Sequence, residues 1–206
     1  MSDTRQFDRN KPSETASSAA NPVRGLQEIG RAGRGKISPE NWNPPFCGDI
    51  DMRIASDGTW YYLNSPIGRK PLVQLFASVM RREEDLRYYL VTPVEKCGIT
   101  VDDAPFVAVA MAVSGEGRDQ EIALTTNLDD TVTVDDRHPL RFADEAGTAG
   151  LKPYVLVRGR LEALVARALF YDLVALGVVE GEWFGVWSGG QFWPMQRAAE
   201  IGANLQ

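Results

Sequence analysis

The dipeptide Asp57-Gly58 separates two runs suited to extended backbone, residues 51–56 and 59–63. The second run, Thr-Trp-Tyr-Tyr-Leu, is rich in the aromatic residues that pack well on a pleated surface. Asp-Gly supplies positive φ at a two-residue loop, so the pattern predicts a β-hairpin closed by a type I′ turn. A lone hairpin is marginal in water and needs more strands or a helix over its apolar face. The chain must therefore provide that cover further along.

It does so in alternation. Ser65-Pro66 has the form of a helix start, a hydroxyl cap followed by proline. Pro71 opens a main helix predicted over 71–84. There Leu72, Leu75, Phe76, Val79 and Met80 fall on one apolar face. Strands are predicted over 87–94, 106–113, 121–126, 131–134 and 154–157, separated by turn-forming Gly, Asp and Asn. A second long helix is predicted over 161–176, with Leu161, Leu164, Val165 and Ala168 on its buried side. A closing hairpin joins 183–187 to 191–195 through Ser188-Gly189-Gly190.

The two hairpins look alike: Ser56-Asp-Gly-Thr-Trp-Tyr61 and Ser188-Gly-Gly-Gln-Phe-Trp193 each place paired aromatics after a turn. Each half also has one amphipathic helix. We therefore expect an α+β chain of two related strand-plus-helix units, a duplicated core with a seam between them. The expected layout is a disordered basic tail over 1–37, one unit over 38–96, a second over 97–199 and a short tail over 200–206.

The string Gly30-Arg-Ala-Gly-Arg-Gly-Lys-Ile-Ser38 nearly spells a phosphate-binding loop. Such a loop follows a buried strand and opens a helix, so that backbone amides face the phosphate. Here residues 22–29 are not strand-like, Ile37 stands where the metal-binding hydroxyl belongs, and Pro39 follows Ser38. The segment reads as a flexible basic linker.

Composition narrows the function classes. No apolar run approaches the length needed to span a bilayer, and the polar N-terminus lacks the apolar core of a secretion signal. We expect a cytoplasmic protein. Cys47, Cys97 and His138 are too few for a structural zinc site, which takes about four Cys/His ligands, and no cofactor is expected. Residues 1–37 carry seven basic and four acidic side chains, against fifteen and twenty-four in the rest. An acidic body disfavours broad nucleic-acid binding, though not a local basic groove.

The candidate ligand-binding residues are Arg69, Arg81, Arg82, Lys96, His138, Arg141 and Arg158, with Lys70 and Lys152 beside them. Arginine presents a planar fork suited to phosphate or carboxylate; the competing reading is pairing with the abundant acids. Asp129-Asp130 and Asp135-Asp136 bracket a short strand and offer four carboxylates, without the spacing of a calcium loop. His138 beside them has the chemistry of a general base, or of a turn histidine bonded to backbone. Most of the strand aromatics, Trp60, Tyr61, Tyr62, Tyr88, Tyr89, Trp183, Trp187, Phe192 and Trp193, are expected in the core; an exposed one can stack on a base or grip a peptide.

Several strings in order carry a family resemblance. They include Phe46-Cys-Gly-Asp-Ile-Asp-Met-Arg-Ile54, Asp57-Gly-Thr-Trp-Tyr-Tyr62, Ser65-Pro-Ile-Gly-Arg69, Tyr89-Leu-Val-Thr-Pro-Val-Glu-Lys96, His138-Pro-Leu-Arg-Phe142, Gly150-Leu-Lys-Pro-Tyr-Val155 and Phe184-Gly-Val-Trp-Ser188. Over residues 42–195 the chain resembles the bacterial family called domain of unknown function 1285. The resemblance implies a duplicated α+β core, a second unit superficially like a pleckstrin-homology fold, and a binding place at the seam with a signalling role. It implies no catalytic residues.

These observations favour a non-enzymatic binding or signalling module that takes a protein or a nucleic acid at the seam, with the acidic body favouring protein. The alternative is a metal-dependent hydrolase built on the Asp129–His138 region. A membrane-surface reader is the third class, and an acidic body is repelled by anionic lipid.

Overall fold

The computed structural model describes residues 39–203, except 146, 148 and 149. The expected tail over 1–37, the linker at 30–38 and residues 204–206 lie outside the described residues. The expected second tail, from residue 200, begins inside the helix Ala198–Ala203.

The first unit runs β1 (Phe46–Ile54), β2 (Trp60–Tyr62), β3 (Ser65–Pro66), α1 (Lys70–Ser78), β4 (Met80–Arg82), β5 (Tyr88–Val91) and β6 (Lys96–Val101). Its strands form one sheet in the order β3-β2-β1-β6-β5-β4. The central β1–β6 pair is parallel and every other pair is antiparallel.

The second unit contributes β7 (Phe106–Ser114), β8 (Glu121–Thr126), β9 (Thr131–Thr133), β10 (Leu140–Asp144), β11 (Leu151–Arg158) and β12 (Leu161–Val165). Their order is β9-β8-β7-β12-β11-β10, again with only the central pair, β7–β12, parallel. Strand for strand this repeats the first sheet. The chain then adds α2 (Arg167–Ala175), a three-stranded meander β13 (Val178–Glu180), β14 (Trp183–Ser188) and β15 (Gln191–Arg197), and α3 (Ala198–Ala203).

The protein is thus mostly sheet, and the duplication lies elsewhere than the matching hairpins indicated. The counterpart of β1–β2 is β7–β8; the closing hairpin 183–195 belongs to the extra meander. The expected unit boundary at 96/97 falls inside β6, after its first residue Lys96, and β6 pairs with β1 and β5. The break between the sheets lies between Val101 and Phe106.

Three elements differ from the sequence expectation. The helix predicted over 71–84 ends at Ser78, whose hydroxyl donates to the Leu75 carbonyl at 2.7 Å. Val79 and Met80 are buried as expected, but Met80 is in a strand opposite Leu90. The helix predicted over 161–176 is strand for its first five residues. Leu161, Ala163 and Val165 point inward with a period of two; a short apolar run fits either period, and pairing to β11 and β7 decides it. Ser65-Pro66 is an edge strand against Tyr61 and Tyr62, a place where proline is tolerated.

The first turn also departs from type I′. Gly58 alone takes a positive φ, +83°. The Gly58 N–H donates to Ala55 O and the Ala55 N–H to Thr59 O, both at 2.9 Å, while Asp57 Oδ1 accepts the Thr59 N–H. This is the three-residue loop ending in a left-handed glycine.

One core serves both units. Met52, Ile54, Trp60, Phe76 and Met80 of the first belong to the same buried cluster as Phe106, Leu124, Val155 and Leu161 of the second. Trp60 is fully buried and stacks on Phe76 at 6.2 Å between ring centroids. The meander is pinned to the second sheet by the buried Ser188 hydroxyl, which accepts the Ile122 N–H at 2.9 Å and donates to Val134 O at 2.7 Å. Among the described residues no helix is long and apolar enough to cross a membrane.

Candidate functional site

The structure draws most of the candidate cations into pairs within the chain. Arg158, at the end of β11, donates to Asp130 at 2.7 Å and to the Ala77 carbonyl at 3.0 Å, and its guanidinium lies 4.9 Å from the centre of the Phe106 ring. It ties the C-terminal end of α1 to the β8–β9 turn, where a cation meets free helix carbonyls. Lys70 reaches the same turn through Asp129 at 2.7 Å.

Arg81 donates to the carbonyls of Pro39 (2.9 Å) and Trp42 (2.7 Å) and pairs with Glu83. Lys96 closes on Glu83 at 2.9 Å and lies over the Tyr89 ring. Burial alone would raise the Glu83 carboxyl, but hydrogen bonds from Lys96 and Arg81 outweigh it and hold it below the usual carboxylate range.

A polar belt crosses the seam. Arg141 grips Glu162 with both arms, at 2.6 and 2.7 Å, and stacks over the Tyr154 ring at 4.2 Å. Asp103, between the two sheets, accepts from Lys152 at 2.8 Å and from the Tyr154 hydroxyl at 2.7 Å. Burial opposes the charge on Asp103; the bonds from Lys152 and Tyr154 prevail and keep its carboxyl low. Tyr154 is pushed well up, by burial first and then by its bond to Asp103. Tyr88, from the first sheet, feels the charges of Arg82, Glu162, Asp103 and Arg141, and burial raises its hydroxyl. The seam therefore brings Arg82 and Arg141 near one tyrosine. Arg82 rests over the Tyr88 ring at 5.3 Å and donates weakly to Leu86 O. Arg69 is exposed at the start of α1; among the described residues neither it nor Arg82 makes an ion pair.

The acidic group around His138 is dispersed. Asp129 and Asp130 face Lys70 and Arg158, and Asp135 accepts the backbone N–H groups of Arg137 and His138. The His138 Nδ1–H donates to Leu156 O at 3.0 Å, which fixes the ring against β11. Among the described residues no three Asp, Glu, His or Cys side chains are grouped so as to hold a metal ion.

A groove of about 190 Å³ opens on the second unit, next to the seam residue Lys152. Its walls are Leu151 and Pro153 of β11, Leu164 of β12, and Phe170 and Tyr171 of α2, with Lys152, Glu145 and Arg167 at the rim. α2 crosses from β12 toward β10, where Phe170 meets Phe142 at 6.5 Å. Tyr171 is 59% exposed. The Arg167 guanidinium donates from Nε to the Tyr171 hydroxyl at 3.2 Å and also feels the charge of Glu145. The sequence reading missed these residues because it made α2 the later part of a longer helix over 161–176 and saw only its buried face. An arginine and a tyrosine four apart, i and i+4 on one helix face, were the available signal.

A mostly-sheet protein of two six-stranded units, each repeating the other's strand order, is the class that this fold defines. The family model described as the DUF1285 N-terminal domain of unknown function matches residues 39–104, and that of the DUF1285 C-terminal domain matches residues 105–195. The chain belongs to the DUF1285 family. It is similar to the crystal structure of a DUF1285 family protein from Silicibacter pomeroyi DSS-3, with 50% identity and a TM-score of 0.80 over 86% of this chain and 97% of that one. A DUF1285 family protein from Shewanella baltica OS155 is more distant, at 25% identity and a TM-score of 0.50 over 61% of this chain and 91% of that one. No curated protein matches the chain.

Proposed function

We propose that the protein is a non-enzymatic binding module whose ligand is a protein segment, seated in the groove between α2 and the start of β11. The observation that carries this reading is the pairing of an apolar trough with Arg167, whose guanidinium donates to the Tyr171 hydroxyl and, among the described residues, makes no ion pair. Exposed tyrosine, arginine and an apolar floor are the side chains that anchor protein interfaces. The complementary ligand presents one apolar or aromatic side chain next to a carboxylate.

The seam, the other place considered, is closed by its own charges. Arg141, Lys152 and Arg158 each hold a carboxylate, and an anionic ligand would have to displace it. That argues against nucleic acid, as does the acidic body, since phosphate backbones are bound by uncommitted cations. A pleckstrin-homology-like second unit is supported by the meander β13–β15 that runs directly into α3; a fold likeness of this kind fixes no ligand.

The test is affinity capture from the native cell's lysate, with and without nuclease, using the wild-type chain and an Arg167→Glu/Tyr171→Ala variant. A partner that survives nuclease and is lost with the variant is the expected result. Recovery of nucleic acid, or a partner held equally by the variant, overturns the reading.

A further inference from the structure

The edges of the two large sheets are guarded, but unequally. β3 is two residues long and contains Pro66; β4 carries Arg81 and Arg82; β9 is three residues flanked by aspartates; β10 carries Arg141 and Asp144. Short length, charge and proline are the usual devices against strand-to-strand association. The far half of β7 has only a bulge at Val109, between Ala108 and Ala110, as such a device. β12 pairs with β7 only as far as Ala108, and the Ala166 N–H donates to Ala108 O. Beyond that point β8 covers one edge of β7 through Ser114, while β12 has given way to α2, which lies against β7 and β14. Among the described residues the other edge of Val109–Ser114 has no strand beside it.

That edge is uncharged and apolar: Val109-Ala110-Met111-Ala112-Val113. Its side chains are also in the wrong environment for a finished sheet. Met111 and Val113 lie opposite Leu124 and Ile122, and directly opposed residues share a face. Leu124 and Ile122 are 0% exposed, yet Val113 is 41% exposed and Val109, at the bulge, 52%. The core-side stripe continues past the last residue that the chain itself covers.

The segment is also a palindrome. Antiparallel pairing about Met111 sets Val109 against Val113 of a second copy, Ala110 against Ala112, and Met111 against itself. A two-fold interface requires such self-complementarity. The register limits the pairing to these five residues: the partner's Ser114 would fall opposite Ala108, whose edge Val165 already occupies. We infer that Val109–Val113 is a homodimer edge, joining β9-β8-β7 of two copies into one sheet across a two-fold axis. Two five-residue strands bury only part of the roughly 1,200 Å² of a firm interface, so the dimer is reversible and concentration-dependent.

The test is light scattering on the full chain over a concentration series, for the wild type and for Ala112→Lys. Ala112 is exposed, so the lysine leaves the fold intact, which circular dichroism verifies. The expected result is a wild-type mass rising toward twice the monomer and an Ala112→Lys mass that stays monomeric. In parallel, Met111→Cys in a Cys47→Ser background should form an interchain disulfide on mild oxidation, because the two 111 positions face each other at the axis. A wild type that is monomeric at every soluble concentration overturns the inference. So does a dimer that survives Ala112→Lys, or one that Met111→Cys fails to cross-link.

Discussion

Gly58 should tolerate no side chain, and the reason crosses the boundary between the two units. A Cβ at this position would stand 2.5 Å from Asn127 Nδ2 and 3.1 Å from Val107 Cγ2. Asn127 is not free to move aside. Its Oδ1 accepts the Val107 N–H at 3.2 Å and its Nδ2 donates to the Gly58 carbonyl at 3.4 Å. Gly58→Ala therefore incurs about 1 kcal/mol for a left-handed alanine and about 1–3 kcal/mol for overpacking. The total is roughly 2–4 kcal/mol. Asn127→Ala alone strips the Val107 N–H of its partner and costs about 1–2 kcal/mol. In the double variant the clash with Asn127 is gone, so the loss should be about 2–3 kcal/mol, well short of the sum. The assay is urea unfolding followed by tryptophan fluorescence, to which the buried Trp60 contributes, with unchanged m-values as the control. Additivity of the two substitutions to within about 0.5 kcal/mol would refute the docking of this turn onto Asn127.

Three further outcomes follow from the site geometry. The Asp103 carboxyl is lower in the folded than in the unfolded chain, so its contribution is present above the ordinary carboxylate range and lost as pH falls through the folded value. Asp103→Asn should thus cost about 1–3 kcal/mol at neutral pH and progressively less as the pH is taken below about 4, which a series of urea midpoints will show. Arg158→Met should destabilise by about 1–2 kcal/mol, a half-exposed ion pair plus a hydrogen bond to the Ala77 carbonyl, measured in the same way. Cys47 is exposed and should be alkylated at once; Cys97 is buried, with its thiol pushed up to about 11, and should react only on unfolding, as peptide mass mapping will report.

Local signals in the sequence were legible where one period dominated. Asp57-Gly58 marks the first hairpin, and the strand expected over 121–126 is β8. The heart of α1, Leu72 to Phe76, shows its helical face. Where a short apolar run satisfied both periods the wrong element was read, as at Met80 and at Leu161–Val165. Duplication was expected on the strength of two aromatic hairpins, yet the repeat is carried by strand order, which pairs β1–β2 with β7–β8 and is invisible to local comparison. The candidate cations show the same limit. Arg141 meets Glu162, Lys152 meets Asp103 and Arg158 meets Asp130 only once the sheets have formed, so a row of basic residues in sequence became a set of internal ties. The groove was hidden for a related reason: its walls come from β11, β12 and α2, and α2 was masked by the longer helix predicted around it.

The most direct test of the binding reading is amide hydrogen exchange on the full chain, alone and with the captured partner bound. Protection gained at residues 150–153 and 164–171, with the segments around Arg82, Tyr88 and Arg141 unchanged, is the result predicted. Protection gained instead around Arg82, Tyr88 and Arg141, with the groove unaffected, would contradict it and return the ligand to the seam.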